Sequence, residues 1–221
     1  MSQPMPQPVP PAPTHRQIAE QTAIRLAVEK LAALDSWPER CQRLGLPAPA
    51  PVDNTVVLPM FYGALEIRPP EYVARVQETG QPSKPGDRLL ALHYLLCEAP
   101  VIPSRQWITF RDFPGGAFYW QPFQSRSIQP LAKRVGNNVA ALRARLTRLG
   151  ALIEPVAGEG LCATFRAIGN ISVRMVYRPG DDEFPASADF LYNACARHVF
   201  GAEDAAALAS RICFALLFSL E

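Results

Sequence analysis

Hydrophobic and polar positions alternate most regularly between Ile171 and Arg178. Every second residue on one side of this segment is apolar: Ile171, Val173, Met175 and Tyr177. A two-residue period is that of a half-buried β-strand. The segment 161–166 has a matching composition, and residues 167–170 between the two contain Gly169 and Asn170, so the pattern predicts a hairpin. Strands of the same antiparallel sheet are predicted from β-branched and aromatic residues at 54–61, 64–68, 72–76 and 105–110.

Other segments repeat their apolar residues every three or four positions, which is the spacing of one helix face. Helices are predicted at 14–35, 36–45, 87–98, 131–149, 187–199 and 203–218. Thr14 with Gln17 forms a capping-box pattern, and Ser187 is a predicted N-cap. Gly136 and Asn138 divide the fourth helix into two, with Asn138 capping the second. Together these elements predict a single α+β domain in which helices cover an antiparallel sheet.

Proline recurs throughout residues 1–13, where the apolar side chains needed for a core are missing. This composition predicts a disordered, proline-rich tail followed by one domain at 14–221. The domain has enough length and enough hydrophobic residues, 48% of the 221, to bury a sizeable core.

Charge and cysteine content narrow the class of protein. A net charge of +2 is too small to indicate nucleic acid or an acidic membrane as a partner. The basic residues around 131–149 can contact phosphate or form a solvated helix face, and the small net charge favours the solvated face. Five scattered cysteines without a Cys-x-x-Cys pair, and no recognisable signal peptide, favour the reducing cytoplasm. The longest apolar run is far below the roughly 20 residues of a membrane span.

Three consecutive carboxylates, Asp181, Asp182 and Glu183, follow the 171–178 strand. Carboxylate oxygens on one turn suit a hard cation such as magnesium or calcium. The alternative is a turn whose acids pair with nearby arginines and favour the N-terminus of the following predicted helix.

Cys195 and His198 lie three residues apart, on one face of the predicted helix at 187–199. They can ligate a soft metal or form a thiolate–imidazole pair, or Cys195 can be a buried structural residue. His93 lies among leucines in the helix at 87–98 and is either a metal or haem ligand or a hydrogen-bonded core residue.

Three blocks of sequence carry a resemblance to a known family: 89–96, 107–116 and, most specifically, Gly-Asp-Asp-Glu-Phe-Pro-Ala-Ser-Ala at 180–188. They resemble the DUF3786 family, a domain of unknown function from anaerobic bacteria and archaea, and the similarity runs from about Thr14 to the C-terminus. The resemblance implies organisms rich in corrinoid, haem and iron–sulfur enzymes. Some members resemble fusions with a cysteine-rich cluster-binding segment, which this chain lacks.

The resulting functional hypothesis is a cytoplasmic binding or accessory protein that holds a cofactor or protein partner in anaerobic metabolism. Its expected pocket groups are Arg105, Trp107 and His93 together with the acidic turn at 181–183. An alternative is a metal-assisted hydrolase that uses the same three acids with His198. A third possibility is a structural subunit that docks through the apolar helix at 203–218. The usual nucleotide-binding, serine-hydrolase and metalloprotease motifs are missing from the sequence.

Overall fold

An antiparallel sheet of eight strands forms the centre of the fold. The structure is a computed structural model that describes residues 13–34, 36–156 and 159–218. The predicted disorder of residues 1–13 therefore concerns a segment that lies, apart from Pro13, outside the described residues. The strands are β1 Val56–Met60, β2 Gly63–Arg68, β3 Val73–Val76, β4 Trp107–Thr109, β5 Leu152–Pro155, β6 Leu161–Ile168, β7 Ile171–Arg178 and β8 Ser187–Asn193.

The sheet order is β3-β2-β1-β6-β7-β8-β4, and β5 pairs with the start of β6. Sequence neighbours pair as hairpins, as predicted: Leu58 lies opposite Leu65 in β1–β2, and Phe165 lies opposite Val173 in β6–β7. The predicted antiparallel α+β fold is confirmed. Alternation in β7 also holds, because Ile171, Val173, Met175 and Tyr177 are fully buried while Arg174 and Val176 keep partial exposure on the other face.

Helices pack on the buried face of the sheet. They are α1 His15–Ala32, α2 Trp37–Arg43, α3 Pro85–Leu96, α4 Gly116–Phe123, α5 Gln129–Val135, α6 Val139–Arg148, α7 Ala196–Val199 and α8 Ala202–Phe218. A 3₁₀ helix, Phe110–Asp112, precedes α4, and a π-helix, Gln124–Ile128, joins α4 to α5. Two buried tyrosines connect the layers: Tyr177 donates to the carbonyl of Gly136 (2.7 Å), and Tyr192 donates to that of Ala205 (2.9 Å).

Two buried arginines satisfy carbonyl groups at the ends of core helices. Arg40 donates to the carbonyls of Leu95 (3.0 Å) and Cys97 (3.3 Å) at the end of α3, and Arg145 donates to that of Leu216 in the last turn of α8. Arginine is suited to this role because its guanidinium carries several donors on a long apolar stem. Arg145 is thus a structural residue rather than part of a solvated helix face.

The predicted helix at 187–199 is wrong. Ser187–Asn193 forms β8, which pairs with β7 over most of its length, and only Ala196–Val199 is helical. The buried side chains of β8 follow a two-residue period at Ala188, Phe190 and Tyr192. The strand forms because β7 offers a free ladder of backbone donors and acceptors beside it.

The last helix is central to the fold, as its composition predicts. Seven of its described residues are buried: Ala202, Ala205, Leu208, Ala209, Ile212, Cys213 and Leu216. They join one continuous core with the sheet and with α3. Much of the apolar surface of α8 is therefore used within the chain, and docking of a partner through this helix stays a prediction.

Candidate functional site

Helices α3 and α8 are joined by two polar side-chain pairs. His93 of α3 lies 2.9 Å from Asp204 in the first turn of α8, and Asp87 near the start of α3 pairs with Arg211. The two α3 residues are six positions apart, or about 9 Å along the helix. His93 lines one surface cavity, and Asp87 and Arg211 both line another, so these groups are reachable from outside.

The larger of these two cavities, here called the α3–α8 cavity, has a volume of about 800 Å³. Its walls come from the first turn of α1, the β1–β2 turn, the end of β3 with the following loop, the start of α3 and the second half of α8. The lining residues are Arg16, Phe61, Tyr62, Val76, Pro82, Lys84, Asp87, Ser210, Arg211, Phe214 and Ala215. A concave apolar surface with a few polar groups is typical of small-molecule sites.

Asp87 is the most unusual residue of this cavity, because a carboxylate is rarely buried to only 3% exposure. Both of its oxygens contact the Arg211 guanidinium, in a two-point pair. Burial raises the pKa of Asp87, and the positive charge of Arg211 opposes that rise. The buried hydroxyl of Tyr62 lies beside the pair, where desolvation and the Asp87 charge both raise the pKa of the phenol.

The π-helix Gln124–Ile128 contacts a residue in the wall of the same cavity. It positions the buried Ser127 so that its hydroxyl oxygen lies 2.5 Å from that of Ser210, which lines the cavity. π-helical turns are rare and occur frequently at functional sites. The unusual backbone therefore fixes one polar wall residue of the cavity.

The smaller cavity, of about 480 Å³, lies at the other end of the helix pair. It is lined by His93, Leu96, Cys97, Glu98, Ala99, His198 and Val199. The Nδ1 atom of His93 is 2.9 Å from both oxygens of Asp204, which orients the ring. His93 and His198, both predicted as candidate ligands, thus line the same cavity. Asp204 of α8, which orients the His93 ring, was not predicted as its partner.

The acidic turn is exposed, and its first carboxylate is engaged by its own backbone. Asp181 accepts hydrogen bonds from the amides of Phe184 (2.7 Å) and Glu183 (2.9 Å), in that order the main causes that lower its pKa. Asp182 and Glu183 are also exposed. The turn is thus a self-capped loop on the surface, and metal binding by these three residues stays a prediction.

The remaining predicted pocket groups lie elsewhere. Trp107 pairs with Asn193 at one end of β8, whereas the acidic turn precedes the other end, about 20 Å away along the strand. The Trp107 ring stacks under the Arg174 guanidinium at 4.4 Å, and Arg105 is exposed. The structure therefore does not bring Arg105, Trp107 and His93 together with the acidic turn, and it separates that turn from His198, which follows the far end of β8.

Cys195 and His198 were expected on one face of a helix at 187–199. That helix does not form, because 187–193 is a strand and only Ala196–Val199 is helical. Cys195 is buried, which raises its pKa to about 11, whereas His198 is exposed at the smaller cavity. Among the described residues, no group of three or more histidine, cysteine or acidic side chains is close enough to hold a metal. Metal binding by Cys195 and His198 stays a prediction.

The thiol of Cys195 is expected to be unreactive in the folded chain. At pH 8, a pKa of about 11 leaves roughly one thiol in a thousand ionised, and thiolate is the reactive form. With 5,5′-dithiobis(2-nitrobenzoate), the native protein should show no fast-reacting thiol, and the chain unfolded in guanidinium should show all five cysteines. A fast thiol that disappears in Cys195→Ser and slows in His198→Ala would instead support an activated Cys195–His198 pair.

The fold and the cavities define the class of this protein: an α+β domain with a ligand-sized cavity beside a buried ion pair. In the described part of the chain, no helix is both long and apolar enough to span a membrane. The model of a family described as a domain of unknown function, DUF3786, matches residues 37–215, so the chain belongs to this family. Comparison with curated proteins and with solved structures gave no match.

Proposed function

We propose that the protein is a binding protein for a small organic molecule, and that the ligand occupies the α3–α8 cavity. The observation that supports the proposal most strongly is the buried Asp87–Arg211 pair in the cavity wall. A buried ion pair is weak support for stability, because apolar residues of similar volume usually stabilise a core as well or better. Charged residues with shifted pKa values in a concave site are more typical of a functional role.

The size and shape of the cavity fit such a ligand. Its volume of about 800 Å³ falls in the range of roughly 300–1,000 Å³ found for small-molecule sites. Phe61 and Tyr62 lie in edge contact at 4.9 Å between ring centroids and form one part of the wall, and Phe214 and Arg211 of α8 form another. Phe61 and Tyr62 form the β1–β2 turn, and this turn packs against the same core as α8, which holds these parts of the wall in place.

The cytoplasm is the proposed location. All five cysteines are buried and free, as in proteins of a reducing compartment. A cofactor of anaerobic metabolism is the narrower form of the proposed ligand, suggested by the resemblance of the chain rather than by the residues of the cavity.

A thermal-shift screen of metabolites, haem and corrinoids against the anaerobically purified protein tests the proposal. Val76→Trp should fill part of the cavity and abolish the shift caused by a true ligand, because Val76 is half-buried in its wall. Val176→Trp is the matched control, since Val176 is a half-buried strand valine on the other face of the sheet. Equal effects of the two variants, or hits that survive Val76→Trp, would place the ligand outside this cavity.

A further inference from the structure

We infer that the ligand of the α3–α8 cavity is an amphipathic organic anion, with one negatively charged group on an apolar body. This inference rests on the proposed function and names its ligand class. Asp87 is the one carboxylate among the described residues that line the cavity. Both Asp87 oxygens are engaged by Arg211, so this pair is neutral as a unit.

Two further cations line the cavity: Arg16 in the first turn of α1 and Lys84 at the N-cap of α3. Both are exposed, and within the described chain neither forms an ion pair. The Glu20 carboxylate lies close to Gly86 and does not line the cavity. The cavity therefore presents an excess of positive charge to an incoming ligand.

The rest of the wall is apolar and partly aromatic. Phe61 is 5% exposed and Phe214 is 60% exposed, so the aromatic surface runs from the floor of the cavity towards solvent. Tyr62 adds a ring whose hydroxyl points into the buried ion pair rather than to solvent. Such a wall gains free energy from covering an apolar body, and rigid aromatic faces lose little entropy on binding.

Other ligand classes use only part of this wall. A neutral apolar molecule gains nothing from Arg16 and Lys84, and an organic cation is repelled by them. An inorganic anion such as phosphate meets the two cations but leaves the aromatic wall in water. An anion with an apolar body engages both, because its charged group can remain at the exposed cations while the body covers the rings.

A pair of fluorescent probes tests the ligand class on the full chain. 8-Anilinonaphthalene-1-sulfonate is the sulfonated form of N-phenyl-1-naphthylamine, so the two differ in one negative charge on the same apolar body. The sulfonate is expected to bind at least tenfold more tightly, with an affinity that falls as salt is raised. Decanoate should displace it, whereas decanol and inorganic phosphate should not.

The double variant Arg16→Gln with Lys84→Gln should remove most of the preference for the sulfonate. Its matched control is Lys133→Gln with Arg143→Gln, two exposed cations outside the cavity that change the net charge equally. Near-ultraviolet circular dichroism of each variant confirms that the fold is intact, since the probe also binds loosened chains. The control should leave both affinities unchanged.

The outcomes separate the two proposals. Equal binding of both probes, abolished by Val76→Trp, keeps the cavity as a binding site and overturns the anionic ligand class. The anionic ligand class is also overturned if the control variant lowers sulfonate binding as much as the cavity variant does. Binding of neither probe, or binding that Val76→Trp leaves unchanged, overturns the proposed function together with the ligand class.

Discussion

Replacing Asp87 with alanine is expected to lower the free energy of unfolding by about 3 kcal/mol, because the change leaves the Arg211 guanidinium without its partner. The usual cost of breaking a buried ion pair is about 3–5 kcal/mol. We expect the lower end, since the Arg211 side chain keeps 26% exposure and water can reach the abandoned charge. Chemical denaturation followed by tryptophan fluorescence measures the loss.

Two comparisons show whether burial is the cause of that loss. Asp189→Ala breaks the exposed Arg178–Asp189 pair (3.0 Å) and should cost less than about 1 kcal/mol. The double variant Asp87→Leu with Arg211→Met removes both buried charges and should recover most of the stability lost in Asp87→Ala. Similar costs for Asp87→Ala and Asp189→Ala would contradict the buried pair described above.

The double variant also separates folding from binding. If the Asp87–Arg211 pair is retained for a ligand rather than for the core, the double variant should fold and fail to bind. This outcome would explain why the chain keeps two charges between α3 and α8, where leucine and methionine could pack.

Most of the sheet could be predicted from the sequence, because alternation reports which face of a strand is buried. The strands at 152–155 and 187–193 were the exceptions, and the sequence of the second fits two periods. Phe190, Leu191 and Cys195 suit a helix face, and Ala188, Phe190 and Tyr192 suit a strand face. The choice depends on pairing with β7, a non-local interaction that local propensity does not contain.

The larger cavity was missed for a related reason. Asp87 and Arg211 are 124 residues apart, and Asp87 alone suggests a capping residue of α3. One signal was present: Arg211 is the one charged residue in the apolar second half of α8, where a buried partner is needed. The acidic turn shows the converse case: three adjacent carboxylates predict a metal site, and the structure adds that the first of them accepts hydrogen bonds from its own turn. Metal binding at this turn stays a prediction.

His93 shows how far prediction of a site can go from one sequence. A histidine among leucines implies a polar partner, and this much was predicted. The partner, the charged Asp204 at the start of α8, lies 111 residues away, and no local sequence pattern pairs it with His93. Tertiary packing turns that charge into the group that orients the imidazole.

Gly169→Ala is expected to destabilise the protein by about 3–4 kcal/mol. Gly169 has a φ of +52° in the β6–β7 turn, which costs an alanine about 1–2 kcal/mol. A methyl group there would also overlap the buried ring of Tyr94, whose displacement adds about 1–3 kcal/mol. The Tyr94 hydroxyl donates to Leu44 (2.9 Å) and accepts from the Asn170 amide (3.0 Å), so the ring cannot move without losing both bonds.

Gly150→Ala is the matched control for this variant. Gly150 has a similar φ of +70°, and no atom lies within 4 Å of the position that a methyl group would take. Its cost should therefore be the backbone cost alone, about 1–2 kcal/mol. Combining Gly169→Ala with Tyr94→Leu should cost less than the sum of the single changes, because the smaller side chain relieves the overlap. Equal losses for Gly169→Ala and Gly150→Ala would mean that the Tyr94 ring does not pack against this turn.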